Sequence, residues 1–368
     1  MRGLHSPRLV AGLLTACSLA ALAPAQVAGA QSAGAPARAS GQPAAERYDV
    51  LLRNGRVLDG TGNAWVRADV GIRGDRIAAV GDLRAATAAT VLDAEGQYVA
   101  PGFVDTHSHA GGGLATKALS GARPLLAQGL TTVFVNPDGG GQVDLDAQRR
   151  ALEANGVGVN VALMVPHGSV RGAVLGMQDR APTAAELRQM EELVQRGFDA
   201  GAFALSSGPF YAPGSYAKTS ELVALARVGA RYGAPYQSHI RDESDYTIGL
   251  LAAVEEVITV AREAGTRGVV THAKALGPNV WGFSAAIVQR VERAREQGVE
   301  VFADQYPYDA SSTALAAAAA TLGAGRRQRL AQGPPGRRHP ARAHHRRDAR
   351  EPRAARRCGP DPDRELPA

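Results

Sequence analysis

The sequence has 368 residues, of which 45% are hydrophobic and 21% charged, a length and mix that suit a folded protein with a full core and exclude a collagen-like or wholly disordered chain. Its net charge of +6 is local: from Gly323 to the end there are thirteen Arg and five acids, net +8, which leaves −2 for residues 1–322. The body therefore offers no electrostatic case for a nucleic-acid partner, and with Cys17 and Cys358 as its only cysteines it has no disulfide framework and no thiol nucleophile or ligand between them.

Residues 1–30 read as an export signal. Basic "MRGLHSPR" precedes apolar "LVAGLLTACSLAALA" and the small-residue sites "APAQ" and "AGAQ". The run is too short and too rich in Ala for a membrane span. Two readings stand: a soluble exported protein, periplasmic or secreted, or an envelope protein whose only membrane association is a lipid on Cys17 of the "LTAC" box.

A polar linker over 31–47 leads to residues 48–97. There the short alternating runs "YDVLLRNGRVLDGTG", "RADVGIRGDRIAAVGDL" and "VLDAEGQYVAPGFVD" are broken by turn residues, which predicts a small antiparallel sheet.

From residue 98 to 322 the pattern changes to apolar runs of strand length alternating with helical segments. Strands are predicted at "YVAPGFVDTHSH", "LTTVFVNPD", "NVALMVPHG", "AFALSSG", "APYQSHIRDE", "GVVTHAKALG" and "EVFADQYPYDA". The helix in "TAAELRQMEELVQRG" should start at Thr183 as N-cap and end at Gly197; that in "SAAIVQRVERAREQG" should end at Gly298. Strand, helix, strand, repeated, argues an α/β fold with a parallel sheet covered by helices. Seven such units approach the TIM barrel, which has eight.

Residues 323–368 contain no Val, Ile, Phe, Tyr, Trp or Met and cannot bury enough apolar surface to offset ordering. Two explanations compete for this stretch: a genuine basic tail, or a shift of reading frame in a GC-rich gene. The abrupt change of composition favours the second.

His107 and His109 in "PGFVDTHSHA" stand two positions apart, so on a strand both side chains would leave one face about 6–7 Å apart. Such a pair can share an ion through imidazole nitrogens, although H-x-H alone is weak evidence. Asp138, His239 and His272 end the second, fifth and sixth predicted strands, the rim where such barrels carry active sites. Each alone would read as a capping or hydrogen-bonded residue, but four of the five body histidines fall into this set. His167, the fifth, ends the third strand and receives no role.

"PGFVDTHSH", with the strand-5 and strand-6 histidines, resembles the metal-dependent amidohydrolase superfamily. "FYAPGSYAKTSEL", "SHIRDES", "HAKALG" and "ADQYPYDA" resemble more narrowly the N-acyl-D-amino-acid deacylases, or D-aminoacylases, over Tyr48 to Leu315. The resemblance implies a TIM-barrel amidohydrolase with a small N-terminal β domain, seven of the eight βα units being present. It implies a tightly bound Zn²⁺ at His239 and His272 and a second, weaker site at His107 and His109. Asp138 stands where these deacylases have a Cys that contacts metal; a carboxylate is a harder zinc ligand than a thiolate and holds it less tightly. "AFALSSG" offers no Lys for the carbamylated bridge of the hydantoinase branch.

Lys274 and Tyr211 match positions that grip the substrate carboxylate, with a snorkelling lysine and a packed aromatic as the bland alternatives. Arg241 ranks third, pairing with a substrate acid or simply with Asp242 or Glu243. The reaction implied is hydrolysis of a small N-acyl-D-amino acid, by hydroxide generated at neutral pH on zinc. Alternatives are a dipeptidase or cyclic-amide hydrolase of the same superfamily, or a non-catalytic exported metal-binding protein. In the family an Asp at the end of strand 8 moves the proton. No strand 8 is predicted here, and Asp304 on strand 7 does not match that base. Since general acid–base catalysis contributes about 10²–10⁴-fold, the chain as written is expected to be inactive or poorly folded.

Overall fold

The structure, a computed structural model, describes residues 46–315 and divides into two compact units between Ala100 and Pro101. The predicted export signal, the basic tail and Cys17 lie outside the described residues. No helix among the described residues is long and apolar enough to cross a membrane.

The first unit is a five-stranded sheet of β1 (Arg47–Val57), β2 (Val66–Arg73), β3 (Arg76–Gly81), β4 (Thr87–Asp93) and β5 (Tyr98–Val99). Strands β1, β2 and β3 form an antiparallel meander, but β4 and β5 both lie parallel to β1. The expected all-antiparallel sheet is thus mixed. Between Gly81 and Thr87 the chain passes from the β3 edge to the far side of β1, and turn residues report a reversal without saying which neighbour the next strand takes. The unit's small core is Tyr48, Leu51 and Ala86. Gly71 is required beside it, because an added Cβ would stand 2.6 Å from the Tyr48 ring.

The second unit holds a parallel sheet of β6 (Phe103–Asp105), β7 (Leu130–Val135), β8 (Asn160–Pro166), β9 (Ala204–Ser207), β10 (Tyr236–Ser238), β11 (Gly268–Val270) and β12 (Val301–Ala303). Spatial order follows chain order, with β6 and β12 at the edges among the described residues. The helices are α1 (Gly111–Leu114), α2 (Arg123–Leu126), α3 (Leu145–Asn155), α4 (His167–Leu175), α5 (Ala184–Asp199), α6 (Thr219–Ala230), α7 (Leu250–Ala264) and α8 (Ser284–Glu296). This is the α/β barrel architecture that the alternating pattern predicts, with seven strands described.

The predicted strand "YVAPGFVDTHSH" is two strands. Tyr98–Val99 belongs to the first unit's sheet and Phe103–Asp105 to the second, with Ala100-Pro101-Gly102 between them, where Pro cannot donate to a ladder. In the second unit the strands bury continuous runs such as Ala162 to Val165, as sheets covered on both faces do. Met190, Val194 and Phe198 on α5, Leu222 and Leu225 on α6, and Val254, Val257 and Val260 on α7 pack into the same core. Each such side chain contributes roughly 1.5–3 kcal/mol on burial.

Thr183 caps α5 in a reciprocal box with Glu186, as its spacing predicts. Gly197 does not end that helix. It sits inside the helix against β8, where a Cβ would come 2.6 Å from Val165 Cγ2, so its role is close approach. Gly298, at φ +81°, follows the end of α8 as predicted.

Candidate metal centre

The side chains of interest all follow the carboxyl ends of parallel strands, where chain leaving the sheet is free to present them. His107 and His109 follow β6, Asp138 follows β7, His239 follows β10 and His272 follows β11. His107 and His109 are in the turn beyond β6 and do not share a strand face. Asp105 Oδ1 accepts from the His107 N–H at 3.0 Å, which turns the chain, and the two rings lie 5.5 Å apart with His107 12% and His109 71% exposed.

One carboxylate organises the cluster. Asp138 Oδ1 stands 3.3 Å from His107 Nε2, 3.5 Å from His272 Nε2 and 3.8 Å from His239 Nδ1, while Oδ2 stands 3.1 Å from His109 Nε2. Asp138 adopts φ +56° and Asn136 φ +68°, left-handed backbone that Asp and Asn tolerate best, at a cost of order 1–3 kcal/mol each. Packing holds this kink. The Asn136 and Gln148 amides exchange hydrogen bonds at 2.8 and 3.0 Å, and Ser206 Oγ donates to the Asn136 carbonyl at 2.5 Å. Gly208 lies so close that an added Cβ would be 2.2 Å from the Asp138 carbonyl oxygen.

Both ring nitrogens of His107 and of His239, and Asp138 Oδ1, are buried without a hydrogen-bond partner. Buried polar atoms left unpaired cost free energy, and convergent unpaired imidazoles and a carboxylate are the donor set of a zinc site. These residues fit a metal ion. Two ligand groups are each close enough to share one: His107, Asp138 and His272, or His239, Glu243 and His272. In the second the Lys274 ammonium already lies 2.5 Å from Glu243 Oε1 and 2.8 Å from His272 Nδ1, so that side holds a permanent cation, whereas among the described residues only imidazoles stand against Asp138.

Burial alone pushes the Asp138 carboxyl up, but His107, His109 and His272 more than offset this and hold it far below the usual carboxylate range. Burial likewise opposes ionisation of Glu243, which His272, His239 and Lys274 nonetheless bring down to about 2. His272, against burial, is raised to about 9 by Asp138 and Glu243, whereas burial lowers His239 to about 4. His109 is raised by its bond to Asp138. Two buried ionised carboxylates thus draw positive charge to this point.

The cluster opens on a cavity of 1220 Å³ that Tyr211, Lys274, Phe210 and Tyr306 also line. Burial raises the Tyr211 phenol, whose oxygen lies 3.2 Å from Thr313 Oγ1. Arg241 is not among the lining residues. Its guanidinium donates to Glu256 at 3.0 and 2.9 Å and to the carbonyls of Ser215 and Ala217 at 3.1 and 2.9 Å, so it ties the 215–217 turn to α7. Neither Asp242 nor Glu243 is its partner. Asp242 accepts from the backbone of Ser244, Thr247 and Gly249 and shapes the loop.

Glu243 is the residue that reading the sequence missed. Its carboxylate lies 3.1 Å from His272 Nδ1 and fixes that ring so that Nε2 faces Asp138. Its position four residues beyond His239 in "SHIRDES" is the signal that could have found it. His167 lies off the cavity, bonded to Glu221 at 2.9 Å. Asp304 accepts from the His272 backbone N–H.

The chain is 41% identical over 292 residues to the N-acyl-D-glutamate deacylase of Alcaligenes xylosoxydans xylosoxydans, covering 73% of this chain and 59% of that protein. The crystal structure of N-acyl-D-glutamate deacylase from Bordetella bronchiseptica, complexed with zinc and a phosphonate inhibitor that mimics the tetrahedral intermediate, matches with a TM-score of 0.67 at 40% identity, covering 72% of this chain and 59% of that one. The chain belongs to the D-aminoacylase family of amidohydrolases. A solved D-aminoacylase with a binuclear metal centre, showing one-metal activation and second-metal attenuation, matches with a TM-score of 0.66 at 33% identity over 71% of this chain and 59% of that one. No family model matches. The chain spans about 59% of the length of the D-aminoacylase relatives it matches.

Proposed function

We propose that this chain carries the metal centre and substrate cavity of an enzyme that hydrolyses the linear amide of N-acyl-D-amino acids, giving a carboxylic acid and a D-amino acid. The observation that carries the reading is Asp138 facing four imidazoles, two of which, His107 and His239, have both ring nitrogens buried without a partner among the described residues, on the wall of a cavity that also holds Lys274 and Tyr211. Relatives named as deacylases of N-acyl-D-glutamate, N-acyl-D-aspartate and N-acyl-D-amino acids support it, and they favour linear over cyclic amides.

His239, His272 and Asp138 would hold the tighter zinc; His107, His109 and Asp138 would hold a second, weaker one, in keeping with the exposure of His109. The chemistry zinc supplies when bound is polarisation of the acyl carbonyl and a water with pKa near 7. Lys274 and Tyr211 bind the substrate carboxylate, the ammonium leaving Glu243 to do so. Glu243 keeps the proton of His272 on Nδ1. The acid–base Asp that the resemblance places on an eighth strand is not among residues 46–315. Export, with a lipid on Cys17 as the alternative, is supported by the basic, apolar and small-residue order of residues 1–30. No nucleic-acid partner is proposed for a body of net charge −2.

The purified chain, with zinc or with chelator, is incubated with N-acetyl-D-glutamate, N-acetyl-D-aspartate and N-acetyl-D-leucine, and free D-amino acid is measured beside zinc uptake. Zinc uptake with release only weakly above the chelated control is the expected result, since the acid–base Asp is not among residues 46–315 and general acid–base catalysis contributes about 10²–10⁴-fold. Stoichiometric zinc uptake without release from any of the three would support the non-catalytic metal-binding reading, and absence of both would end the proposal.

A further inference from the structure

We propose that Asp304 is a positioning residue that aims His272 at the metal centre, by accepting the one backbone hydrogen bond that a bulge at His272 leaves over. The inference rests on reading that centre as a metal site.

The ladder between β11 and β12 pairs Gly268 with Val301 and Val270 with Ala303, and the Asp304 N–H donates to the Val270 carbonyl at 3.1 Å. A regular parallel ladder would next take the His272 N–H to the Asp304 carbonyl. Instead that carbonyl accepts from Ala273 at 2.9 Å, one residue late, and His272 is the extra residue, at φ +37°. Bulges re-aim side chains at the rims of barrels. Here the displaced N–H is within a nearly buried residue and cannot be left to water, and Asp304 Oδ1 takes it. Asp304 thus makes three hydrogen bonds around one ligand: its amide before His272, its carboxylate on it, its carbonyl after it. Its side chain is not in either ligand group, and Oδ2 is buried without a partner. The ring so directed has Nε2 3.5 Å from Asp138 Oδ1 and Nδ1 3.1 Å from Glu243. Asp304 does not match the family base, and what it holds instead is the backbone around His272.

The test compares Asp304→Ala with Asp304→Asn, whose amide oxygen can still accept the N–H. Zinc affinity is read by chelator competition, the ligand field by the visible bands of the Co²⁺-loaded chain, and the fold by circular dichroism of the metal-free chain. Expected is a loss of about 10–100-fold in zinc affinity with altered cobalt bands for Ala, and affinity within about threefold of wild type for Asn, the range that second partners of ligands command. Unchanged zinc affinity in Ala would overturn the inference, and so would Asn falling as far as Ala, which would mark Asp304 as a ligand or a needed charge. If Ala fails to fold, Asn alone decides, on the same threshold. A wild-type chain that takes up no zinc would end the metal reading as well, which separates the two failures.

Discussion

The second unit buries two clusters of histidine and carboxylate, one around Asp138 and one around Glu221, and they use the same residue types to opposite ends. At Glu221 both carboxylate oxygens are taken, Oε1 by His167 at 2.9 Å and Oε2 by the Arg171 guanidinium, which also donates to the Arg180 carbonyl at 2.6 Å. The cluster ties α4 to α6, and its permanent cation is part of the chain. At Asp138 four imidazoles converge, but among the described residues Oδ1 and both nitrogens of His107 and His239 lack hydrogen-bond partners, and no guanidinium or ammonium reaches the carboxylate. Buried His against buried acid therefore does not by itself mark a ligand site. What marks it is whether a permanent cation, Lys or Arg, closes the carboxylate or only titratable imidazoles face it.

Removing the carboxylate charge from each cluster should separate them. Glu221→Gln strands a buried Arg171 without its anion and should cost about 3–5 kcal/mol of stability, read by denaturant unfolding of the metal-free chain, while zinc affinity of the folded protein stays as it was. A Glu221→Gln chain as stable as wild type would mean the ion pair is not what holds α4 to α6. Asp138→Asn should do the reverse. Left-handed backbone tolerates Asn, so the fold should persist, but zinc affinity should fall by at least about 100-fold in chelator competition, beyond what loss of an outer partner does. Equal affinity would remove Asp138 from the ligand set.

Glu243→Gln sharpens the boundary between ligand and support. Gln can still accept from His272 Nδ1, but it no longer counters Lys274, so zinc affinity should fall by about tenfold, at the low end for outer partners. The KM for an N-acyl-D-amino acid should also fall, because Lys274 is no longer held by Glu243. A loss of affinity matching Asp138→Asn would place Glu243 among the ligands.

Most of this arrangement was legible because strand ends are legible. Apolar runs told where β7, β10 and β11 stop, and Asp138, His239 and His272 stand at those stops. What the sequence could not convey was direction beyond the strand. The His107 and His109 pair was read as one face of a strand, and a turn closed by Asp105 separates their exposure. Arg241 was paired with its sequence neighbours, whereas its partner Glu256 lies fifteen residues on, brought back by α7. Glu243 was overlooked for the same reason: adjacency assigned it to Arg241, and only the fold turns it to His272. The bulge at His272 depends on one shifted hydrogen bond, which leaves no periodicity to read.

The smallest expected effect is on acid stability, and it tests whether the Glu221 cluster is a closed ion pair. Burial pushes the Glu221 carboxyl up, but His167 and Arg171 more than offset it and hold it below its ordinary 4.5. A carboxyl whose folded pKa is depressed contributes stability that is fully present above the unfolded value and is lost as pH falls through the folded one. The melting temperature of the metal-free chain should therefore fall more steeply from about pH 5 to about pH 3 than that of Glu221→Gln, which has no proton to take up there. Asp138 and Glu243 are also held low and titrate in both proteins, so their share cancels in the difference. Parallel slopes would mean that Glu221 takes up its proton equally readily folded and unfolded, and the contrast between a self-neutralised cluster and one that needs an ion would lose its electrostatic half.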